Sequence, residues 1–92
     1  MAGMPLSVAH AIVHPAQSTL PHRPNTATEL YYILSGTGRM HVGTDSVAVH
    51  PGQIVLIPQR ETQYLENCGT TDLSFLCIVS PAWSADDEEL VC

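Results

Sequence analysis

An imidazole at His22 and a carboxylate at Glu29, set either side of a polar loop, are the side chains of this sequence whose types and placement suit chemistry. Glu29 heads an otherwise apolar run, ELYYILS, where a charged carboxylate is costly unless a cation or hydrogen-bond donors face it. The pair offers general acid/base chemistry. The same residues make an ordinary buried polar cluster if they simply bond one another. On the residues alone, the readings stay open.

Positioning these groups falls to short strands. Apolar runs recur at 6–14, 18–22, 29–35, 39–42, 46–50, 53–58, 62–66 and 73–80, cut by the turn-forming stretches SGTG, VGTDS, HPGQ and NCGTTD. Pro51-Gly52 suits the central positions of a type II turn. Such spacing predicts an all-β sandwich or barrel in one domain over 1–92. Ser84 followed by Asp87 predicts a capped helical turn through ADDEEL, after Pro81. Within 29–35, Glu29, Tyr31 and Ile33 share one face and Leu30, Tyr32 and Leu34 the other. Both faces are apolar, which predicts a central strand buried on both sides. Pro24-Asn25 breaks the chain between His22 and Glu29 and lets both point inward.

The glycine, proline and spacing pattern resembles the two signatures of the cupin family over most of the chain. The first signature is a glycine, five residues, His-x-His, a spacer, a glutamate, six residues and a glycine. Here Ala16 stands at the opening glycine, His22 at the first histidine, Pro24 at the second, and Glu29 and Gly36 at the remainder. The second signature follows through Pro51, Gly52, Pro58 and Asn67, with Gln63 in its histidine slot. The resemblance covers about 8–90, with the signatures at 16–67, and FLCIVSPAW looks like the ending of small cupins similar to mannose-6-phosphate isomerase. It implies a single double-stranded β-helix (jelly-roll) barrel. It further implies a site that usually holds metal on three histidines and a glutamate. Carried over residue by residue, the metal ligands are His22, Glu29 and Gln63, holding one divalent ion (zinc, manganese, iron or nickel) weakly or not at all. The implied function is binding of a small oxygen-rich molecule in the barrel. The alternative is a metal-dependent isomerase, lyase or dioxygenase on a sugar-like or carboxylic substrate, with His22 and Glu29 catalytic.

Around that site, Tyr31, Ile33, Met40, Gln63, Leu65, Phe75 and Cys77 are the expected pocket lining, with core filling the competing role for the apolar ones. His10, His14, His41 and His50 are expected to face outward or lie in turns. Trp83 is expected to pack at a barrel end or subunit edge. The chain has no lysine, three arginines and nine acidic residues, a balance that repels nucleic acid and anionic membrane. No apolar stretch reaches membrane-spanning length and no basic leader precedes an apolar run. Three cysteines at unrelated spacings make no disulfide framework and fit a cytoplasmic setting. A core this small, with strands apolar on both faces, predicts a homodimer.

Overall fold

The protein is described by a computed structural model covering residues 6–80 and the backbone of 88–90. The described strands are β1 (Ser7–Val13), β2 (His22–Pro24), β3 (Thr28–Ser35), β4 (Gly38–Val42), β5 (Asp45–Val49), β6 (Ile54–Ile57), β7 (Gln63–Glu66), β8 (Leu73–Ser80) and β9 (Glu88–Leu90). They form two antiparallel sheets, a four-stranded one in the order β1-β8-β3-β6 and a five-stranded one in the order β5-β4-β7-β2-β9. The all-β barrel expected from strand spacing is the architecture observed.

Register determines what each sheet shows the interior. On the four-stranded sheet, four inward rows run across the strands: Ser7–Val79–Glu29–Ile57, Ala9–Cys77–Tyr31–Val55, Ala11–Phe75–Ile33 and Val13–Leu73. Phe75 and Ile33 of the third row and Val13 and Leu73 of the fourth, joined by Tyr31 and Ile57, pack with Met40, Val49 and Leu65 as the core. Tyr31 stacks on Phe75 with ring centroids 4.8 Å apart. The first two rows contain small residues, Ser7, Ala9 and Cys77, and cannot fill the interior at their end of the barrel.

Three sequence expectations need correction. The strand expected at 18–22 instead occupies 22–24, while Ser18 makes only an isolated bridge to Glu66 and the Thr19 amide donates to the Leu65 carbonyl. In agreement with the break expected at Pro24-Asn25, that strand ends at Pro24, which lies opposite Glu88 and whose carbonyl accepts the Arg60 amide at 2.7 Å. The helical turn expected through ADDEEL gives way, at Glu88–Leu90, to β9 paired with β2, because an unfilled sheet edge outweighs a weak capping signal. Residues 84–87 of that turn, and Trp83, lie outside the described residues. Finally, β3 is central in its sheet but not buried on both sides: Tyr32 and Leu34 are exposed.

Two turns share the pattern His-Pro-x-Gln. His14-Pro15-Ala16-Gln17 and His50-Pro51-Gly52-Gln53 each close with the fourth amide donating to the first carbonyl, at 3.1 and 3.2 Å. In both, proline precedes a residue in the left-handed region, Ala16 at φ 65° and Gly52 at φ 87°. This is the type II arrangement, which favours glycine at that place. Ala16 keeps the backbone of the signature glycine and carries the strain of its Cβ, about 1–2 kcal/mol.

Candidate functional site

The polar trio meets where the two sheets face each other at the wide end of the barrel. Glu29 comes from the first inward row of the four-stranded sheet. His22 and Gln63 are cross-strand partners on β2 and β7 of the five-stranded sheet. Alternation turns all three inward, and the bends at Asn25 and Thr26 reset the phase between His22 and Glu29. Glu29 and Gln63 are almost fully buried, at 1% and 0% exposure.

Gln63 sits between its neighbours. Its Nε2 donates to Glu29 Oε1 at 2.8 Å and lies 3.1 Å from His22 Nε2. Reversing the amide would bring its oxygen against the carboxylate, so the carboxylate fixes the amide's orientation. His22 Nε2 then accepts, and its Nδ1 carries the hydrogen donated to the Leu20 carbonyl at 3.0 Å. Cys77 Sγ lies 3.7 Å from Glu29 Oε1 as a weak further donor. A hydrogen bond from an amide to a carboxylate contributes about 1.5–3 kcal/mol, and it leaves Glu29 only partly compensated. Two buried oxygens, Glu29 Oε2 and Gln63 Oε1, have no hydrogen-bond partner.

A cavity of about 210 Å³ opens beside the carboxylate, lined by Ser7, Ala9, His22, Glu29, Tyr31, Cys77 and Val79. It exists because the first two inward rows carry small side chains. Of the residues expected to line it, Tyr31 and Cys77 do. Ile33, Met40, Leu65 and Phe75 lie in the core instead, one row deeper or on the opposing sheet, and Gln63 is buried behind His22 and Glu29 rather than on the cavity wall. Sequence reasoning missed Ser7, Ala9 and Val79. Their signal was parity with Cys77 across the β1–β8 pair, together with small size.

The remaining histidines lie elsewhere. His10, His14 and His50 are exposed. His14 Nδ1 pairs with Asp72 at 2.8 Å, and His41 Nε2 meets Glu66 at 3.1 Å while its ring stacks on Tyr64 at 4.1 Å. Asn67, at the end of the second signature, belongs to neither the cavity nor the trio. It is buried, and its Nδ2 donates to the Val13 and Thr71 carbonyls while its Oδ1 accepts the Gly69 amide, each at 2.8 Å. That residue clasps the end of β1 to the 67–71 loop.

A metal of the kind cupins usually hold does not fit this donor arrangement. Position 24 presents a proline ring on the same face as His22, and proline has no ligating atom in its side chain. The Gln63 amide nitrogen occupies the place between imidazole and carboxylate where an ion would bridge them. No group of three or more histidine, cysteine, aspartate or glutamate side chains suited to a metal occurs among the described residues.

The comparisons agree with this architecture. The family model described as "Cupin domain" matches residues 9–79, and the chain belongs to the cupin family. An uncharacterized protein of Methanocaldococcus jannaschii is 36% identical over 97% of this chain and 71% of its own length. An oxalate-binding protein of Thermotoga maritima is 34% identical over 71% of this chain, which spans only 54% of that protein. The crystal structure of a predicted oxalate decarboxylase from Thermotoga maritima superposes with a TM-score of 0.75 at 32% identity, covering 78% of this chain and 63% of that one. Among the described residues no helix is long and apolar enough to cross a membrane.

Proposed function

We propose that this cupin binds a small, oxygen-bearing molecule in the cavity beside Glu29. The observation that carries the reading is the buried carboxylate on the cavity wall with one oxygen unpartnered. Keeping such a group in a barrel costs stability, and a ligand that meets it offsets the cost. At about 210 Å³ the cavity is below the usual range for drug-sized ligands, so the ligand is small. Ligand-detected magnetic resonance against small polyols, amino alcohols and carboxylic acids tests this. Binding that disappears in Ala9→Trp, which fills the cavity mouth, supports the reading; no binding by any class refutes it.

Relatives described as an oxalate-binding protein and a predicted oxalate decarboxylase favour a second reading, metal-dependent chemistry on a small carboxylate. In that reading His22 and Glu29 ligate zinc, manganese, iron or nickel, with Gln63 turned to offer its oxygen. Pro24 and the amide between the two ligands weigh against it. Stoichiometric, chelator-resistant metal in the purified protein would establish the second reading over the first.

The working unit in this proposal is a cytoplasmic homodimer. The outer face of the four-stranded sheet carries two cross-strand rows, Val8–Ile78–Leu30–Leu56 and His10–Leu76–Tyr32–Ile54. Val8 and Leu56 remain 60% and 58% exposed. These rows contain no acidic or basic carboxylate or guanidinium side chain, on a chain of net charge −6. Two copies repel over the rest of their surface and can approach through this face, which suits an isologous contact. Sedimentation should give a dimer at micromolar concentration and a monomer for Leu56→Glu; a monomeric parent protein would refute it.

A further inference from the structure

The unsatisfied groups of the site are all of one kind. Gln63 spends its amide N–H groups on Glu29 and His22, and His22 gives its Nδ1 hydrogen to Leu20. What remains without a partner is Glu29 Oε2 and Gln63 Oε1, two acceptors. A complementary ligand therefore brings donors.

Charge sharpens this. The chain has no lysine, and its three arginines lie away from the cavity. Arg39 donates to Ser46 on the outer side of β4, Arg60 sits in the turn after β6, and Arg23 follows His22 with the opposite parity. No lysine or arginine side chain among the described residues lines the cavity. An oxalate dianion, or a phosphate, would meet the Glu29 carboxylate in a poorly solvated space without a compensating cation. Repulsion at such a site disfavours any anion strongly. Tyr31 on the wall adds an aromatic surface that attracts cations.

We infer that the cavity selects a small organic ammonium ion, of the amino-alcohol class, whose N–H donors meet Glu29 Oε2, and that it rejects oxalate-like anions. The inference rests on the cavity being a small-molecule site and specifies the sign of its ligand. It separates this chain from the relatives whose descriptions name oxalate.

Titration calorimetry on the metal-free full chain with ethanolamine, glycerol and oxalate decides the matter. Ethanolamine should bind, glycerol about ten- to a hundredfold more weakly, and oxalate not measurably, because the difference is a charge-assisted hydrogen bond. Glu29→Gln should weaken ethanolamine to the glycerol level, with circular dichroism verifying the fold. Ala9→Trp, which leaves Glu29 in place, should abolish both. Oxalate or glycerol binding at least as tightly as ethanolamine overturns the inference while leaving a small-molecule site. Absence of binding by all three overturns both.

Discussion

Two buried polar residues, Asn67 and Glu29, sit at comparable depth in the same barrel and are treated differently by their surroundings. Asn67 is saturated: two carbonyls and one amide of the main chain use its side chain fully enough to tie β1 to a loop. Glu29 has one strong donor, one weak sulfur donor and an oxygen with neither. A polar group retained for folding is answered by the backbone, which cannot leave. A polar group with capacity to spare, beside a cavity, is set for something that arrives. Both residues occupy signature positions, so the difference separates a structural signature residue from a functional one.

The largest effect should come from the saturated residue. Asn67→Ala removes three hydrogen bonds, including the buried one to the Val13 carbonyl, and leaves a void, at a cost of about 3–5 kcal/mol. Thermal unfolding should show a midpoint lowered by more than about 12 °C, or no cooperative transition at all. A loss below about 1 kcal/mol would erase the contrast.

Next is a change at the open site. Pro24→His with Gln63→His places imidazoles in both altered slots, and affinity for zinc, nickel or manganese should rise at least about a hundredfold over the parent. Competition with a chromophoric chelator reads this directly. An equal affinity in the parent would mean that Gln63 already serves as a ligand and that the amide orientation assigned above is wrong.

A smaller effect of opposite sign is expected at Glu29 itself. Glu29→Gln keeps an oxygen for the Gln63 donor and removes an incompletely paired buried charge, so stability should rise by about 1 kcal/mol. Denaturant unfolding that shows a loss of more than about 1 kcal/mol would place Glu29 with Asn67 as a folding residue.

The smallest pair uses the matched turns. Ala16→Gly relieves left-handed strain but adds freedom to the unfolded chain, for a net gain of about 0.5 kcal/mol. Gly52→Ala should cost about 1 kcal/mol; a Cβ there meets nothing within 4 Å, which leaves backbone strain as the whole effect. Midpoints from urea unfolding should move in opposite directions.

Much of the frame was legible in the sequence because its signals are local. Strand spacing, the Pro51-Gly52 turn and the parity that sends Glu29, Tyr31 and Ile33 inward are all properties of short stretches. What escaped depends on partners distant in the chain. β2 lies at His22–Pro24 because β7 and β9 flank it there, and no propensity of HRP announces that. Glu88–Leu90 is a strand because β2 offers an edge. The cavity follows from small residues on β1 and β8 falling into the same rows as Glu29 and Tyr31, a register no single segment contains. The face opposite Glu29 on β3 was expected to be covered, since apolarity alone does not say which surface does the covering. At the trio itself, the residues could be named from their signature slots. That the amide donates to both neighbours required coordinates.

The pairing of β2 has a kinetic consequence. This three-residue strand meets β7 only at His22↔Gln63, and its other neighbour is the equally short β9. Short strands of this kind open locally at far less than the global unfolding energy. The backbone that carries His22 should therefore exchange its amide hydrogens early, while Ile33 and Phe75 retain theirs until the whole barrel unfolds. The cavity wall that includes His22 thus belongs to a low-stability unit, and the wall built from β3 and β8 to a high-stability one. Local release of β2 would then loosen one wall of the cavity while the other stays in place.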